Sequence, residues 1–187
     1  MGEVVTYEVV DGVAVVTIDR PDVRNALSRD VFAQLPERAA QAAADDRVGA
    51  VLLRGAGGNL SSGLDVSMMG ELAAEVDHAF IGWLQDSFTA FEELDKPSVA
   101  LLEGYCLGGG IQLAAACHVR LVAPTARISV LERRWGLVPD LGGTWRLPRL
   151  VGQGRATELI LTAREVDADE ALAIGLAEVA VGADDPY

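Results

Sequence analysis

The sequence is poor in positive charge. Its 187 residues include 15 Lys and Arg against 28 Asp and Glu, which gives a net charge of -13. Nucleic acid and anionic membrane surfaces both require a basic footprint, so neither is expected as a main partner. Any anionic ligand must instead be bound by local arginines.

Cysteine, histidine and long apolar runs are also scarce. The two cysteines, Cys106 and Cys117, lie in apolar surroundings with no Cys/His cluster at ligand spacing, which predicts core thiols of a reducing compartment and no metal site. No apolar run reaches membrane-spanning length, and the N-terminus does not resemble a signal peptide. We therefore expect a cytoplasmic protein without a membrane segment. The hydrophobic content of 50% predicts one domain over residues 1–187.

Strands and helices alternate along the chain. Two β-rich runs, 4–10 and 13–18, flank Asp11-Gly12 and predict a hairpin. Ser28 is a predicted cap for a helix over 31–44, which Pro36 is expected to kink or split. The strand-strand-helix order predicts a mixed α/β fold. Further predicted strands are 48–54, 98–102, 119–123, 127–130 and 177–181, and further predicted helices are 68–94, one beginning at 111, 144–150, 153–162 and 167–174.

A glycine-rich turn, residues 104–110, separates a predicted buried strand from a predicted buried helix. Its three consecutive glycines, Gly108 to Gly110, leave backbone N–H groups open to a ligand, which suits an oxyanion that develops during a reaction. A tight turn packed against another backbone fits the same pattern. The turn is neither a nucleotide P-loop nor a dinucleotide fingerprint, because the Lys-Ser/Thr pair and the Gly-x-Gly-x-x-Gly spacing are missing.

A second dense stretch, residues 131–144, places Glu132 and Asp140 beside apolar residues and glycines. Desolvation there could raise the pKa of either carboxyl group toward neutrality, which is typical of acid/base residues. Pairing with arginine is the alternative, and the residues alone favour it. The candidate arginines are Arg133, Arg134 and Arg146.

These motifs together resemble the crotonase superfamily, the enoyl-CoA hydratase/isomerase family, over nearly the whole chain. Residues 19–27 resemble the loop at the mouth of the family's site, 62–65 its first oxyanion loop, 104–110 its second, and 131–144 its acid/base segment. The resemblance implies a spiral of ββα turns that binds acyl-CoA thioesters. Family members generally continue with further helices that help to build trimers, so the expected fold is crotonase-like but lacks the usual C-terminal helical segment, in a homo-oligomer (trimer or hexamer).

The resemblance also implies roles for individual residues. The backbone N–H groups of Leu64 and Gly109 would hold the thioester carbonyl, and Glu132 and Asp140 would transfer protons. Coenzyme A would arrive as part of the substrate, with no metal or other cofactor. Arg24 would lie near its phosphates, Ala26 near its nucleotide portion and Ser62 by its adenine, with Asp65 and Val66 shaping the same loop.

One departure bears on the reaction. A hydratase resembling the family prototype uses two glutamates, but this sequence matches only one of them, Glu132; the other position is Gln112. An amide is no general base of ordinary strength, although it can orient water. Asp140 stands where some isomerases have an acid. We therefore predict isomerase-like proton transfer, with 2-enoyl-CoA hydration, using water held by Gln112, or noncatalytic acyl-CoA binding as alternatives.

Overall fold

The computed structural model describes residues 2–68 and 77–182. The predicted helical stretch over 69–76 and the residues 183–187 lie outside the described residues. Eight strands are present in the described ranges: β1 Val5–Val10, β2 Val13–Ile18, β3 Ala50–Gly55, β4 Ser98–Leu102, β5 Tyr105–Leu107, β6 Val119–Val122, β7 Arg127–Ser129 and β8 Val179–Ala180.

Six of these strands form one sheet in the order β1-β2-β3-β4-β6-β8, and β5 and β7 form a second sheet of two strands. Only the β1–β2 pair of the large sheet is antiparallel; the other neighbours run parallel. The described α-helices are α1 Arg29–Ala44, α2 His78–Glu92, α3 Gly109–Ala114, α4 Gly143–Val151, α5 Gln153–Thr162 and α6 Ala168–Ala173.

The predicted hairpin is confirmed. Asp11 and Gly12 both have positive φ, 48° and 82°, as the tight turn between two twisted strands requires. The hairpin brings β2 against β3, where Val16 and Leu53 are fully buried. The large sheet therefore begins with a local turn and grows by parallel crossovers.

The structure bears on two predictions for helix α1, its cap and its proline. Ser28 occupies the N-cap position, but its hydroxyl makes no capping hydrogen bond. Pro36 lies inside the helix without splitting it. A proline in a helix interior costs about 3 kcal/mol, and burial of the apolar face of α1 outweighs that cost because helices in proteins are stabilised mainly by packing. The buried apolar residues of this face are Val31, Phe32, Leu35, Ala39 and Ala42.

The aromatic residues of α2 pack into the core, as predicted. Phe88 and Phe91 are fully buried, and Trp83 packs against Phe32 with ring centroids 6.0 Å apart. Cys106 and Cys117 are buried as well. None of the described helices combines the length and apolar character needed to cross a bilayer.

Strand β5 is the element that the sequence did not predict. It lies within the glycine-rich stretch and pairs in parallel with β7. Three residues are too few to show a periodic pattern, so only the partner strand defines it. Its backbone also binds Ser61: the Ser61 N–H donates to Tyr105 O at 2.9 Å, and the Leu107 N–H donates to Ser61 O at 3.0 Å. The two glycine-containing loops are thereby drawn together.

Candidate active site

The first loop of the site is held between two other segments. The Leu27 N–H donates to Gly63 O at 2.8 Å, and the Asp65 N–H donates to Leu27 O at 3.0 Å. Gly63 has φ +96°, and a Cβ added to it would stand 2.8 Å from Leu107 O and 3.6 Å from Gly109 N. Glycine is therefore required here both for its backbone conformation and for the close approach of the second loop.

Leu64 and Gly109 adjoin at this junction. A Cβ added to Gly109 would stand 3.8 Å from Leu64 N, and both residues line one cavity. Neither N–H donates a hydrogen bond to another residue within ranges 2–68 and 77–182. Two fixed, unpartnered donors of this kind can stabilise an oxygen that gains negative charge.

Glu132 supplies a buried carboxyl group beside these amides. It begins the 3-10 turn Glu132–Trp135, and only 9% of the residue is exposed. Its Oε1 accepts a 2.6 Å hydrogen bond from Gln112 Nε2, whereas Oε2 is buried without a partner among the described residues. Burial raises the pKa of Glu132, and the hydrogen bond from Gln112 offsets part of that rise. A buried carboxyl group with a raised pKa is a candidate for acid/base chemistry.

Leu64, Gly109 and Glu132 line one cavity, which has a volume of about 310 Å³. Seven of the nine residues predicted for the site line it, and Arg24 and Asp140 do not. The predicted lining residues are Ala26, Ser62, Leu64, Asp65, Val66, Gly109 and Glu132.

Asp140 lies on the segment between the turn of Glu132 and helix α4. Its carboxyl group is half-buried, and burial raises its pKa. The negative charge of Asp140 in turn raises the pKa of Glu132. Asp140 is therefore near enough to act on Glu132 electrostatically, although it is not a lining residue of the cavity.

The arginine-paired interpretation of the two carboxyl groups is wrong for the part of the chain that the structure describes. Arg146 donates instead to Glu92, at 2.6 Å, and to Leu141 O. Arg134 donates to Ala163 O. These two arginines therefore bind other residues around the site. The hydrogen-bond partner of Glu132 is the neutral side chain of Gln112.

Asp65 uses its side chain to hold the cavity wall. One carboxylate oxygen accepts from Arg20 at 2.8 Å, and the other accepts from the N–H and hydroxyl of Ser67. Burial alone would raise the pKa of Asp65, but the hydrogen bonds from Ser67 and Arg20 together lower it. Arg20 also donates to Ala26 O, so a single guanidinium ties together two segments of the wall.

Arg24 lies outside the cavity lining with its guanidinium over the ring of Tyr105, 5.1 Å from the centroid. No carboxylate of the described residues forms an ion pair with it. The Arg24 backbone contributes as well, because its carbonyl accepts the Ser62 N–H at 2.9 Å. Its charge therefore remains available at the edge of the site.

Several site residues were missed from the sequence. Gln112, considered as a holder of water, is buried and does not line the cavity; its two polar ends contact Glu132 and Gly143. Its position three residues after Gly109 was the available signal. The additional lining residues have no chemical signature of their own, and they are Val23, Gly63, Gly108, Leu131, Trp135 and Leu137. No group of three metal-ligating side chains occurs within the described ranges.

Fold and site together define a crotonase-like α/β protein in which two backbone N–H groups without a partner among the described residues and a buried carboxyl group belong to one cavity. Residues 8–185 match the profile of the family described as enoyl-CoA hydratase/isomerase. The chain belongs to this family.

Relatives of known sequence include a peroxisomal fatty acid beta-oxidation multifunctional protein, MFP2, of Arabidopsis thaliana, 42% identical over 91% of this chain and 24% of its own length. The short-chain-enoyl-CoA hydratase of Clostridium acetobutylicum is 41% identical over 88% of this chain and 63% of its own length. This chain thus spans about a quarter of the first relative and under two thirds of the second. A solved protein of Thermobifida fusca YX, in complex with acetoacetyl-CoA, superposes with a TM-score of 0.86 at 35% identity, covering 97% of this chain and 74% of that one.

Proposed function

We propose that the chain is the acyl-CoA-binding catalytic domain of an enoyl-CoA hydratase/isomerase family enzyme whose reaction is isomerase-like proton transfer. One observation carries the proposal: a buried carboxyl group with an unpartnered oxygen lines the same cavity as two unpartnered backbone amides. An enolate-forming reaction needs both groups at once, one for the proton and the other for the oxyanion.

The reaction proceeds in two proton transfers. The Leu64 and Gly109 N–H groups donate to the thioester carbonyl oxygen, and the Glu132 carboxylate removes a proton from the α carbon of a 3-enoyl thioester. The electrons of the broken C–H bond pass into the conjugated dienolate. Glu132 then returns the proton to the γ carbon, which restores the carbonyl and leaves a 2-enoyl thioester. Asp140 assists as a second acid/base.

The partner of Glu132 favours this reaction. Gln112 is neutral and cannot deliver a proton. Two carboxyl groups belong to lining residues of the cavity, but Asp65 is bound by Arg20 and Ser67, whereas Glu132 has an oxygen without a partner among the described residues. A single acid/base that removes and returns the same proton is sufficient for moving a double bond.

Hydration of a 2-enoyl thioester is the second candidate. The name of the Clostridium relative supports it. In this reaction Glu132 and Asp140 would divide the tasks of activating water and protonating the α carbon. Asp140 is placed on the segment that follows Glu132, and burial raises the pKa of both groups.

The ligand of the site is an acyl-CoA thioester, a proposal supported by the acetoacetyl-CoA complex of the Thermobifida protein. We propose that Arg24, Ala26, Ser62, Asp65 and Val66 hold coenzyme A, with no metal or further cofactor. Assembly into a homo-oligomer (trimer or hexamer), a single domain over residues 1–187 and a cytoplasmic location remain predictions.

The test is to incubate the protein with 3-enoyl and 2-enoyl thioesters of coenzyme A and to measure product mass and double-bond position. A moved double bond at unchanged mass supports isomerisation, and a gain of one water supports hydration. Saturable binding without turnover or solvent-proton exchange would leave only the binding role. Glu132→Gln is the control, since full turnover in this variant contradicts its assigned role.

A further inference from the structure

The amide of Gln112 lies between a donor and an acceptor. Its Oε1 accepts the Gly143 N–H at 3.0 Å, and its Nε2 donates to Glu132 Oε1 at 2.6 Å. The Gly143 N–H can only donate and an ionised carboxylate can only accept. If the amide were flipped, its amino group would face the Gly143 N–H and its oxygen would face the Glu132 carboxylate. The observed orientation is therefore the only one that gives both neighbours a hydrogen bond.

This orientation makes the two oxygens of Glu132 unequal. Oε1 must accept from Gln112, and a Cβ added to Gly108 would stand 3.3 Å from it, so that side is closely packed. Oε2 has no partner among the described residues. When Glu132 is protonated, the proton therefore resides on Oε2, because a proton on Oε1 would face the Gln112 amino group.

Gln112 is itself held in place from its far side. Gly143 is the first residue of α4, and a Cβ added there would stand 2.8 Å from Pro139 Cβ and 3.0 Å from Gln112 Oε1. The helix start thus fits against the amide with no room for a side chain. Through Gln112, the start of α4 fixes the Glu132 carboxyl group.

We propose that Gln112 is a positioning residue, which fixes the Glu132 carboxyl group so that Oε2, and not Oε1, is the atom of this group that exchanges a proton with the substrate. This inference rests on the proposed function for its catalytic meaning. The contact itself is measurable without any turnover.

The test replaces Gln112 with Met, which keeps the length of the side chain and removes the amide. A hydrogen bond donated to the ionised form of an acid lowers its pKa, so losing it raises the pKa of Glu132 further. The acid limb of the kcat/KM profile then moves up by about half a pH unit or more, and kcat falls roughly ten- to hundredfold from misplacement of the carboxyl group.

The other charged groups near Glu132 are unchanged in this variant. Asp140 acts on Glu132 by its charge, whereas Arg133 and Arg134, on the same turn, are exposed. The matched control is Gln34→Met. Gln34 is another buried glutamine, whose amide binds the backbone of Val4 and Val5 in a different part of the fold. This control is expected to lose stability without moving the pKa of Glu132.

The pKa of Glu132 is also followed directly, by carbon NMR titration of labelled carboxyl groups assigned with Glu132→Gln. If the wild type turns over thioesters and the titration does not move in Gln112→Met, the positioning inference is overturned while the proposed function stands. If the titration moves but the wild type has no turnover on any thioester, the contact is supported and the proposed function fails.

Gln112→Asn is the second variant, for use if the Met variant does not fold. Its amide oxygen can still accept the Gly143 N–H, but the side chain is one carbon shorter, so its amino group no longer reaches Glu132 Oε1. The same upward movement of the titration is expected. An unmoved titration in this folded variant would overturn the inference.

Discussion

Gly109 faces Leu64 so closely that a methyl group added to Gly109 would stand 3.8 Å from the Leu64 backbone nitrogen. The methyl group would also stand 2.9 Å from Leu27 Cδ1, which is closer than two carbon atoms normally approach. The absence of a side chain at Gly109 is therefore what lets Leu27 and the Leu64 backbone lie against this turn.

Gly109→Ala keeps the backbone N–H, but the close approach of its methyl group to Leu27 is expected to displace that donor and to lower kcat by up to about a hundredfold, the effect of losing one oxyanion donor outright. Steady-state kinetics on the active thioester measure it. Gly82→Ala is the matched control, because nothing lies within 4 Å of a Cβ added there and its helix α2 gains an alanine. Unchanged kcat in Gly109→Ala would contradict the oxyanion role.

Stability should depend on pH through Glu132. Its pKa is raised in the folded state above the ordinary value of 4.5, so the folded protein binds more protons than the unfolded chain between the two values. The free energy of unfolding therefore falls as pH rises from 4.5 through the folded-state pKa. Activity should rise over the same range, because the carboxylate is the base.

Glu132→Gln should abolish turnover and flatten this pH dependence of stability. Above the folded-state pKa, Glu132 of the wild type is ionised although it is buried, which lowers the free energy of unfolding. The variant lacks this cost, so its Tm should exceed that of the wild type by about 2–4 °C for each ~1 kcal/mol of the cost. Thermal unfolding of both proteins between pH 4 and pH 9 provides the measurement, about the range over which a perturbed carboxyl group titrates. Parallel Tm curves would show that Glu132 does not carry the raised pKa.

Gln112→Glu should divert the reaction toward hydration. Two carboxyl groups in hydrogen-bond contact share one proton, so one can serve as base while the other serves as acid. We expect the ratio of hydrated to isomerised product to rise by about tenfold or more, the low end of what one added acid/base group contributes. Product mass on a 2-enoyl thioester decides the outcome. A constant ratio would mean that Gln112 does not select the reaction.

Arg20→Met should weaken substrate binding without a direct effect on proton transfer. Arg20 binds both Asp65 and Ala26 O, and it holds two cavity walls together. We expect KM to rise roughly fivefold, equivalent to about 1 kcal/mol, with kcat changed less. Arg47→Met removes an exposed ion pair with Asp45 and should leave KM unaltered. Equal effects in the two variants would argue against a wall-holding role.

Arg24→Met tests the proposed contact with the coenzyme A phosphates. KM should rise about tenfold for coenzyme A thioesters, the effect of losing one charge-assisted hydrogen bond, and stay constant for pantetheine thioesters, which lack the nucleotide. Arg127→Met is the control, since Arg127 lies over the same Tyr105 ring but pairs with Glu165. A KM that rises equally for both thioesters would place the role of Arg24 elsewhere.

Local signals in the sequence determined a large part of this fold. The Asp11-Gly12 hairpin, the longer strands and the helix after the glycine turn follow from turn chemistry and apolar runs, which act over a few residues. The resemblance of four short motifs to the family, from residue 19 to residue 144, pointed to Leu64, Gly109 and Glu132, which line one cavity in the structure. Each of these features depends on the identity of neighbouring residues alone.

Contacts between distant segments were decided only by the tertiary structure. The sequence offered three arginines as partners for Glu132, but packing gave it Gln112 and directed Arg146 to Glu92. Strand β5 exists because β7 lies beside it, and Leu64 meets Gly109 because β5 binds Ser61. The sequence determines which groups can donate, accept or ionise, whereas the packing of the chain determines which of them meet, since each pairing competes with many others of similar energy.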